Sequence, residues 1–408
     1  MSNTSVCRAC ASTDLMVVWN LAKSPYGDLF QQTKLSAVEV PIHSMTLALC
    51  QHCSLVQITE ETDLKVQYDN YLYTSGTTHG LREFYTQVTM RLISDFSLSK
   101  SDLILDIGSN DGSFLINFIP QEFSVLGIEP AKLSAEFARA NGIATLNSYF
   151  DSTTVAEILT LPHKPKLISI NYTLANVPNV LDFMNLISKI MNDETIVSII
   201  TGYHPDQFAI NMFDYVGHDH LSYFSVESMK FLCQEVGLKI LDVVRVEHKG
   251  GSLQFLISKK ESKQIVHPSV TQMIQREHWM GVNNIAFYRS LKMRVEAAAR
   301  VVSEILDSET FKVLNGVGAS ISTTYLCNQF GLSSGISRLY DDDKNKIGKF
   351  APGSGIKVHS LSKLLSNPEE LTIILAWQHT EKLLSRLEEI EFKGRILIPL
   401  PEPKLLVL

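Results

Sequence analysis

The chain has 408 residues, 45% of them hydrophobic and 19% charged, with a formal net charge of −7. Its length exceeds what one core usually fills, so two or three domains are expected; the balance of apolar and charged residues excludes extensive disorder. The acidic balance argues against a dedicated nucleic-acid binder and leaves small anionic ligands open. Met1–Ser5 lacks the basic and apolar stretch of a secretory signal, and no run approaches ~18 uninterrupted apolar residues, so a cytoplasmic protein with no membrane contact is expected.

The first unit, residues 1–70, carries two cysteine pairs, Cys7-Arg8-Ala9-Cys10 and Cys50-Gln51-His52-Cys53. Two C-x2-C loops present four thiolates to one ion, the ligand set of a structural zinc site, and four protein ligands leave no open position for a reacting water. His52 stands between two of them as an alternative ligand. In a reducing compartment disulfides are poor candidates, and the isolated Cys233 and Cys327 read as small buried hydrophobes. Strand-like runs at Leu15–Trp19 and Met45–Leu49 complete a unit too small to bury a core without the metal.

An aromatic connector, Tyr68 to Gly76, leads through Tyr71 and Tyr73 to a helical pattern from His79 to about Phe96. The unit 71–250 then alternates strands at 103–106, 124–129, 166–170 and 196–200 with helices around 112–119, 131–141 and 180–192. Such alternation predicts a mostly parallel sheet with helices on both faces and ligands at the carboxyl ends of the strands. The handover from first strand to helix reads Asp106-Ile107-Gly108-Ser109-Asn110-Asp111-Gly112. Glycines there admit a ligand close to the backbone, but the spacing is neither G-x-G-x-x-G nor a P-loop; it is that of S-adenosylmethionine sites. Glu129, followed by Pro130, ends the next strand, where a carboxylate accepts from both hydroxyls of a ribose; Asn171 ends the third. Helix capping at strand ends is the alternative for Asp106 and Glu129.

After the fourth strand come Tyr203-His204 and then His218-Asp219-His220-Leu221-Ser222-Tyr223-Phe224-Ser225. Here a group titrating near neutrality lies beside a carboxylate able to orient it, which is what acid–base chemistry needs. Ser225 also reads as the N-cap of a helix. His248-Lys249-Gly250-Gly251-Ser252 suits a sugar or phosphate and suits a turn between strands equally well. The last unit, 251–408, opens with a long amphipathic segment from about Ser269 to Ser308. It continues as strand, glycine turn and helix over Phe311–Ser320 and a strand at Leu371–Trp377, a second α/β doubly wound pattern.

In order, the cysteine knuckles, Tyr71-x-Tyr73-x-Ser75, Asp106–Gly112, Gly127-Ile128-Glu129-Pro130, His218–Ser225 and Gly250-Gly251-Ser252 resemble the sugar C-methyltransferases, over essentially the whole chain. The resemblance implies an α/β architecture: a small zinc-binding domain, a central class I Rossmann-like methyltransferase domain and a C-terminal α/β Rossmann-like domain that binds sugar nucleotide. It implies S-adenosylmethionine and structural Zn²⁺ as cofactors, a nucleotide-linked 4-keto-deoxysugar as substrate, and a monomer or weak homodimer. His220 would be the base that deprotonates sugar C3, with Asp219, His218, Tyr71, Tyr73 and Tyr223 around it. Tyr203, His204, His248, Lys249, Gly251 and Ser252 would meet the substrate; Asp106, Gly108, Asn110, Asp111, Gly112, Glu129, Pro130 and Asn171 would meet the cofactor. Two positions depart from the family. It commonly reads Tyr-His-Glu-His where this chain has Gly217-His218-Asp219-His220, and a histidine is frequent where Asn176 stands. Tyr71, Tyr73, Tyr203 and Tyr223 are the hydroxyls offered in place of the missing one.

Overall fold

Each cysteine pair folds as a tight turn, because the backbone after it reverses through a left-handed residue. Ala11 and Ser54 have φ of 56° and 58°, and their N–H groups donate back to the carbonyls of Cys7 and Cys50. The first turn leads into β1 (Leu15–Ser24) and the second links β2 (His43–Cys50) to β3 (Val56–Ile58), the three strands forming an antiparallel meander. The computed structural model describes residues 4–62, 75–77, 80–367 and 369–408. Tyr71, Tyr73 and the start of the expected helix at His79 lie outside them.

The central domain contributes β4 (Leu103–Ile107), β5 (Ser124–Ile128), β6 (Thr145–Leu146), β7 (Leu167–Asn171), β8 (Ile196–Gly202), β9 (Ser222–Tyr223), β10 (Leu238–Val246) and β11 (Ser252–Lys259). Seven form one sheet in the order β10-β11-β8-β7-β4-β5-β6, parallel except for β11, which runs antiparallel to both β10 and β8. β9 instead pairs with β3 and becomes the fourth strand of the N-terminal sheet. Helices Lys132–Ala140 and Val180–Ile190 form where the apolar spacing places them. The stretch 112–119 does not form the expected α-helix: it runs as two 3₁₀ turns, Leu115–Asn117 and Ile119–Gln121. Pro120 lacks an N–H and disfavours helical geometry in the residue before it.

β11, the opening stretch of the expected last unit, lies between β10 and β8 and so completes the central sheet. The amphipathic segment beyond it divides at Gly281, whose φ of 71° ends helix Ser269–Met280 before helix Ile285–Ser308 begins under an Asn284 cap. A six-stranded sheet follows: β12 (Val313–Val317), β13 (Ile336–Asp341), β14 (Val358–Ser360), β15 (Glu370–Ile374), β16 (Arg395–Ile398) and β17 (Lys404–Val407), in the order β14-β13-β12-β15-β16-β17. One apolar cluster runs from Trp19, Leu47 and Ile58 through Phe208, Phe213 and Tyr223 to Tyr325, Leu371 and Trp377. The three domains therefore share a core. Among the described residues no helix is long and apolar enough to cross a membrane.

Glu277 joins the linker helices to the central domain. Its buried carboxylate accepts from the N–H groups of Val226 (2.6 Å) and Glu227 (3.0 Å), at the start of helix Val226–Glu235, and from the Tyr203 hydroxyl at 3.0 Å. Glu277→Ala leaves three buried donors without this acceptor and is expected to destabilise the protein by about 2–3 kcal/mol, read as a lowered urea midpoint. An unchanged midpoint would contradict this role.

Candidate active site

The Sγ atoms of Cys7, Cys10, Cys50 and Cys53 all lie within 4.8 Å of one another; the Cys7–Cys53 and Cys10–Cys50 separations are 3.5 and 3.6 Å. A tetrahedron with Zn–S bonds of about 2.3 Å has sulfurs roughly 3.8 Å apart, so the quartet fits zinc as folded. His52 is not among these ligands; its ring packs against Phe231 at 5.1 Å. Arg8, inside the first knuckle, donates to the carbonyls of Glu60 (2.9 Å) and Pro178 (3.0 Å), fastening the metal loop to the central domain. Cys233 and Cys327 are buried apart from the quartet, and burial pushes both thiols up to about 12.

The carboxyl edge of the central sheet gathers Asp106, Glu129 and Asn171. Asp106 accepts from the Ser169 hydroxyl at 2.6 Å and the Asn171 amide at 3.3 Å. Glu129 accepts from the N–H groups of Asn110 (2.8 Å) and Ala131 (2.7 Å). Burial pushes both carboxyls up to about 7, and the nearby Glu129 charge adds to the rise at Asp106. Gly108 has φ of 75°, and a Cβ there would lie 2.2 Å from Thr173 Oγ1, so the tight loop requires glycine. Gly112 has φ of 78° and packs on Ile143. The side chains of Asn110 and Asp111 accept from the N–H groups of Ser75 and Gly76, laying that turn over the loop. Pro130 lies beyond Glu129, where its carbonyl accepts from Asn147. Among the described residues the buried Asn171 Oδ1 and Ser109 Oγ have no partner. These buried acceptors beside a glycine cradle suit a cation bearing hydroxyl and amino donors, the chemistry of S-adenosylmethionine.

The His220 loop reaches this edge because the Leu221 N–H donates to the Ala175 carbonyl, just past β7, at 2.7 Å. His220 Nδ1 lies 3.0 Å from the Tyr215 carbonyl oxygen, which only accepts, so Nδ1 carries the proton and Nε2 the lone pair of the neutral ring. Nε2 is 3.7 Å from Asp219 Oδ2, too far for a hydrogen bond. The side chains of His220 and Asp219 retain 16% and 23% exposure, unlike the fully buried residues around them. His218 is one of those: its Nε2 faces the Ser44 carbonyl at 3.0 Å, its ring lies among Tyr26, His43 and Tyr325, and burial lowers its basicity. The buried Tyr223 hydroxyl accepts from the Gly217 N–H at 3.1 Å. A Cβ on Gly217 would come within 2.3 Å of Tyr325 Cε2, so that phenol fills the space a side chain at 217 would need. Asn176 lies beside the same loop, its Oδ1 without a partner among the described residues.

Tyr203 and His204, expected at the substrate, are interior. The Tyr203 hydroxyl serves Glu277; the His204 nitrogens meet the Phe224 carbonyl and the Tyr288 hydroxyl, each at 3.1 Å, and burial lowers His204 to about 3. The long linker helices that cover them come from sequence more than sixty residues downstream. His248–Gly250 forms the β10–β11 turn. The His248 ring lies on Phe84 at 4.6 Å, its carbonyl accepts from the Ser252 hydroxyl at 2.9 Å, Gly251 packs on Asp206, and Lys249 Nζ stands 4.0 Å over the Tyr172 ring. Only Lys249 is thereby turned toward the residues that follow β7. Sequence reasoning missed Ser169, Asp214 and Tyr215. Ser169 carried a signal, a polar residue inside the apolar strand Leu167–Ile170; Tyr215 carried none.

Comparison with known proteins gives three successive family matches: "Putative zinc binding domain" over residues 7–68, "Methyltransferase domain" over 78–243 and "C-methyltransferase C-terminal domain" over 247–401. The chain is 24% identical to C-methyltransferase NovU of Streptomyces niveus across 98% of its own length and 96% of that protein. Solved structures similar to part of it include an S-adenosylmethionine-dependent methyltransferase from Archaeoglobus fulgidus (16% identity, 44% of this chain and 94% of that one, TM-score 0.36). Another is magnesium protoporphyrin IX methyltransferase from Synechocystis PCC 6803 with bound S-adenosylmethionine (12% identity, 49% and 99%, TM-score 0.36). The chain belongs to the S-adenosylmethionine-dependent C-methyltransferases.

Metal analysis is expected to return one zinc per chain. Cys50→Ala should lose it and lower the melting temperature by at least about 5 °C, because metal binding in a unit this small is folding free energy. A metal-free variant that melts like the parent would contradict the structural role.

Proposed function

We propose that this C-methyltransferase methylates C3 of a nucleoside-diphosphate 4-keto-deoxysugar. The observation that carries the reading is the contact of His220 Nδ1 with the Tyr215 carbonyl, which leaves Nε2 as the basic nitrogen on a loop tied by Leu221 to the Ala175 carbonyl beyond β7. A C–H bond becomes acidic only beside an electron sink, and the C4 ketone is that sink. His220 Nε2 takes the C3 proton, the C–H pair moves into the enolate, and C3 then attacks carbon. Asp219 balances the imidazolium that results. When bound, S-adenosylmethionine would supply the electrophilic methyl, with S-adenosylhomocysteine as the leaving group. Asp106, Asn171 and Glu129 hold the amino acid and ribose ends in this reading, and Lys249 stands at the substrate side. A second reading, transfer to a different carbon acid, is favoured by Gly217 and Asn176, which replace the family's usual groups around the base.

Incubation with S-adenosylmethionine and a panel of nucleoside-diphosphate 4-keto-6-deoxyhexoses is expected to add one methyl mass to a member of the panel. His220→Ala should slow transfer by about 10²–10⁴-fold and abolish deuterium exchange at C3, as loss of a general base does. No methylated product despite cofactor binding would eliminate the sugar reading.

Asp106 and Glu129 are held near 7 by burial, so near neutrality they are only partly ionised until the cofactor's positive charge and hydroxyl donors arrive. Binding therefore lowers both values and releases protons, and affinity rises with pH up to about 7 and then levels. Calorimetry at pH 6.5 in buffers of different ionisation enthalpy should show net proton release. Proton uptake would contradict it.

A further inference from the structure

Holding His220 as a base requires more than its one hydrogen bond. The Nδ1–carbonyl contact fixes one atom of the ring but leaves the ring plane to turn, and Asp219 at 3.7 Å does not close that freedom. The Tyr215 ring does: it stacks on the imidazole at a centroid distance of 4.3 Å, with 28° between planes. One residue thus offers the carbonyl and the stacking face together. We infer that Tyr215 is the positioning residue for His220, keeping the proton on Nδ1 and Nε2 bare toward the substrate; this rests on His220 being the base.

The seat of Tyr215 is itself over-determined. On one side its ring edge lies against Gly202 at the end of β8, where a Cβ would come within 2.9 Å of Tyr215 Cε1. On the other, the adjacent Asp214 is fully buried and accepts from Trp377 Nε1 (2.9 Å) and Gln378 Nε2 (2.8 Å) of the C-terminal domain. Phe213 stacks on Phe330 with planes 7° apart, and the Val216 N–H closes the turn onto the Phe213 carbonyl at 2.9 Å. The C-terminal domain therefore sets the turn, and the turn sets the base. Without the Tyr215 ring the imidazole is free to swing toward Asp219. A hydrogen bond from Nε2–H to that carboxylate would put the proton on the atom that must be bare, turning the base into a donor.

The test uses full-length, zinc-loaded protein with ¹⁵N-labelled histidine, comparing the parent with Tyr215→Phe, Tyr215→Leu and Trp377→Phe. The parent and Tyr215→Phe should both show the Nδ1–H tautomer for His220, with kcat within about twofold of each other, because the ring and carbonyl are kept. Tyr215→Leu should populate the Nε2–H form and lose about 10–100-fold in kcat with KM little changed, the pattern of a misplaced catalytic group. Trp377→Phe, which removes one donor to Asp214, should show a smaller loss in the same direction and decides the matter if Tyr215→Leu does not fold. An unchanged tautomer and kcat in Tyr215→Leu would overturn the inference, as would Tyr215→Phe behaving like Tyr215→Leu. If the tautomer responds as described but the parent methylates no keto-sugar, the positioning stands and the substrate reading fails.

Discussion

The segment from Asp214 to Tyr223 takes a hydrogen bond from every domain, and the rest of the structure is arranged around that grip. Asp214 is held by Trp377 and Gln378, and the His218 N–H by the Tyr325 hydroxyl, both from the C-terminal domain. His218 Nε2 meets the Ser44 carbonyl, and the Ile58 N–H donates to the Leu221 carbonyl, both from the N-terminal domain. Leu221 in turn donates to Ala175 of the central domain. If His220 is the base, as proposed, its loop cannot bury the imidazole to hold it still, so the restraint has to come from its neighbours.

This arrangement also ties the metal site to the His220 loop. Zinc holds Cys50 and Cys53 at the turn between β2 and β3, β3 pairs with β9, and β9 directly follows His220. The shared apolar cluster does the same for the C-terminal domain, whose Tyr325 ring reaches the loop beside Gly217. The cofactor edge works by a different principle. Asp106 and Glu129 are desolvated where backbone and hydroxyl donors compensate them only in part, and in the proposed reading the cofactor completes that compensation.

Features with local causes were legible in the sequence. The cysteine quartet depends on two short loops, the strand ends at Asp106 and Glu129 on apolar runs bounded by glycine, and the Ser225 cap on its own next three residues, where Ser228 completes a capping box. What was not legible depends on distant packing. Tyr203 and His204 follow a strand at the ligand edge, yet helices far downstream close over them. β11 reads as the start of a new unit because the hairpin that returns it to the central sheet is marked only by glycines. Pro120 was a local signal that the apolar pattern of 112–119 masked. The Tyr215–His220 stack arises from a turn whose shape is set by the C-terminal domain, and no periodicity announces it.

The grip of three domains on one loop is tested most directly by amide hydrogen exchange, followed residue by residue at Gly217, His218 and Leu221 in the intact protein without substrate. Their N–H groups donate to Tyr223, Tyr325 and Ala175 respectively. The account predicts protection approaching that of the central strands, because freeing these amides requires parting the domains that share a core. Exchange at the rate of an exposed loop would contradict it.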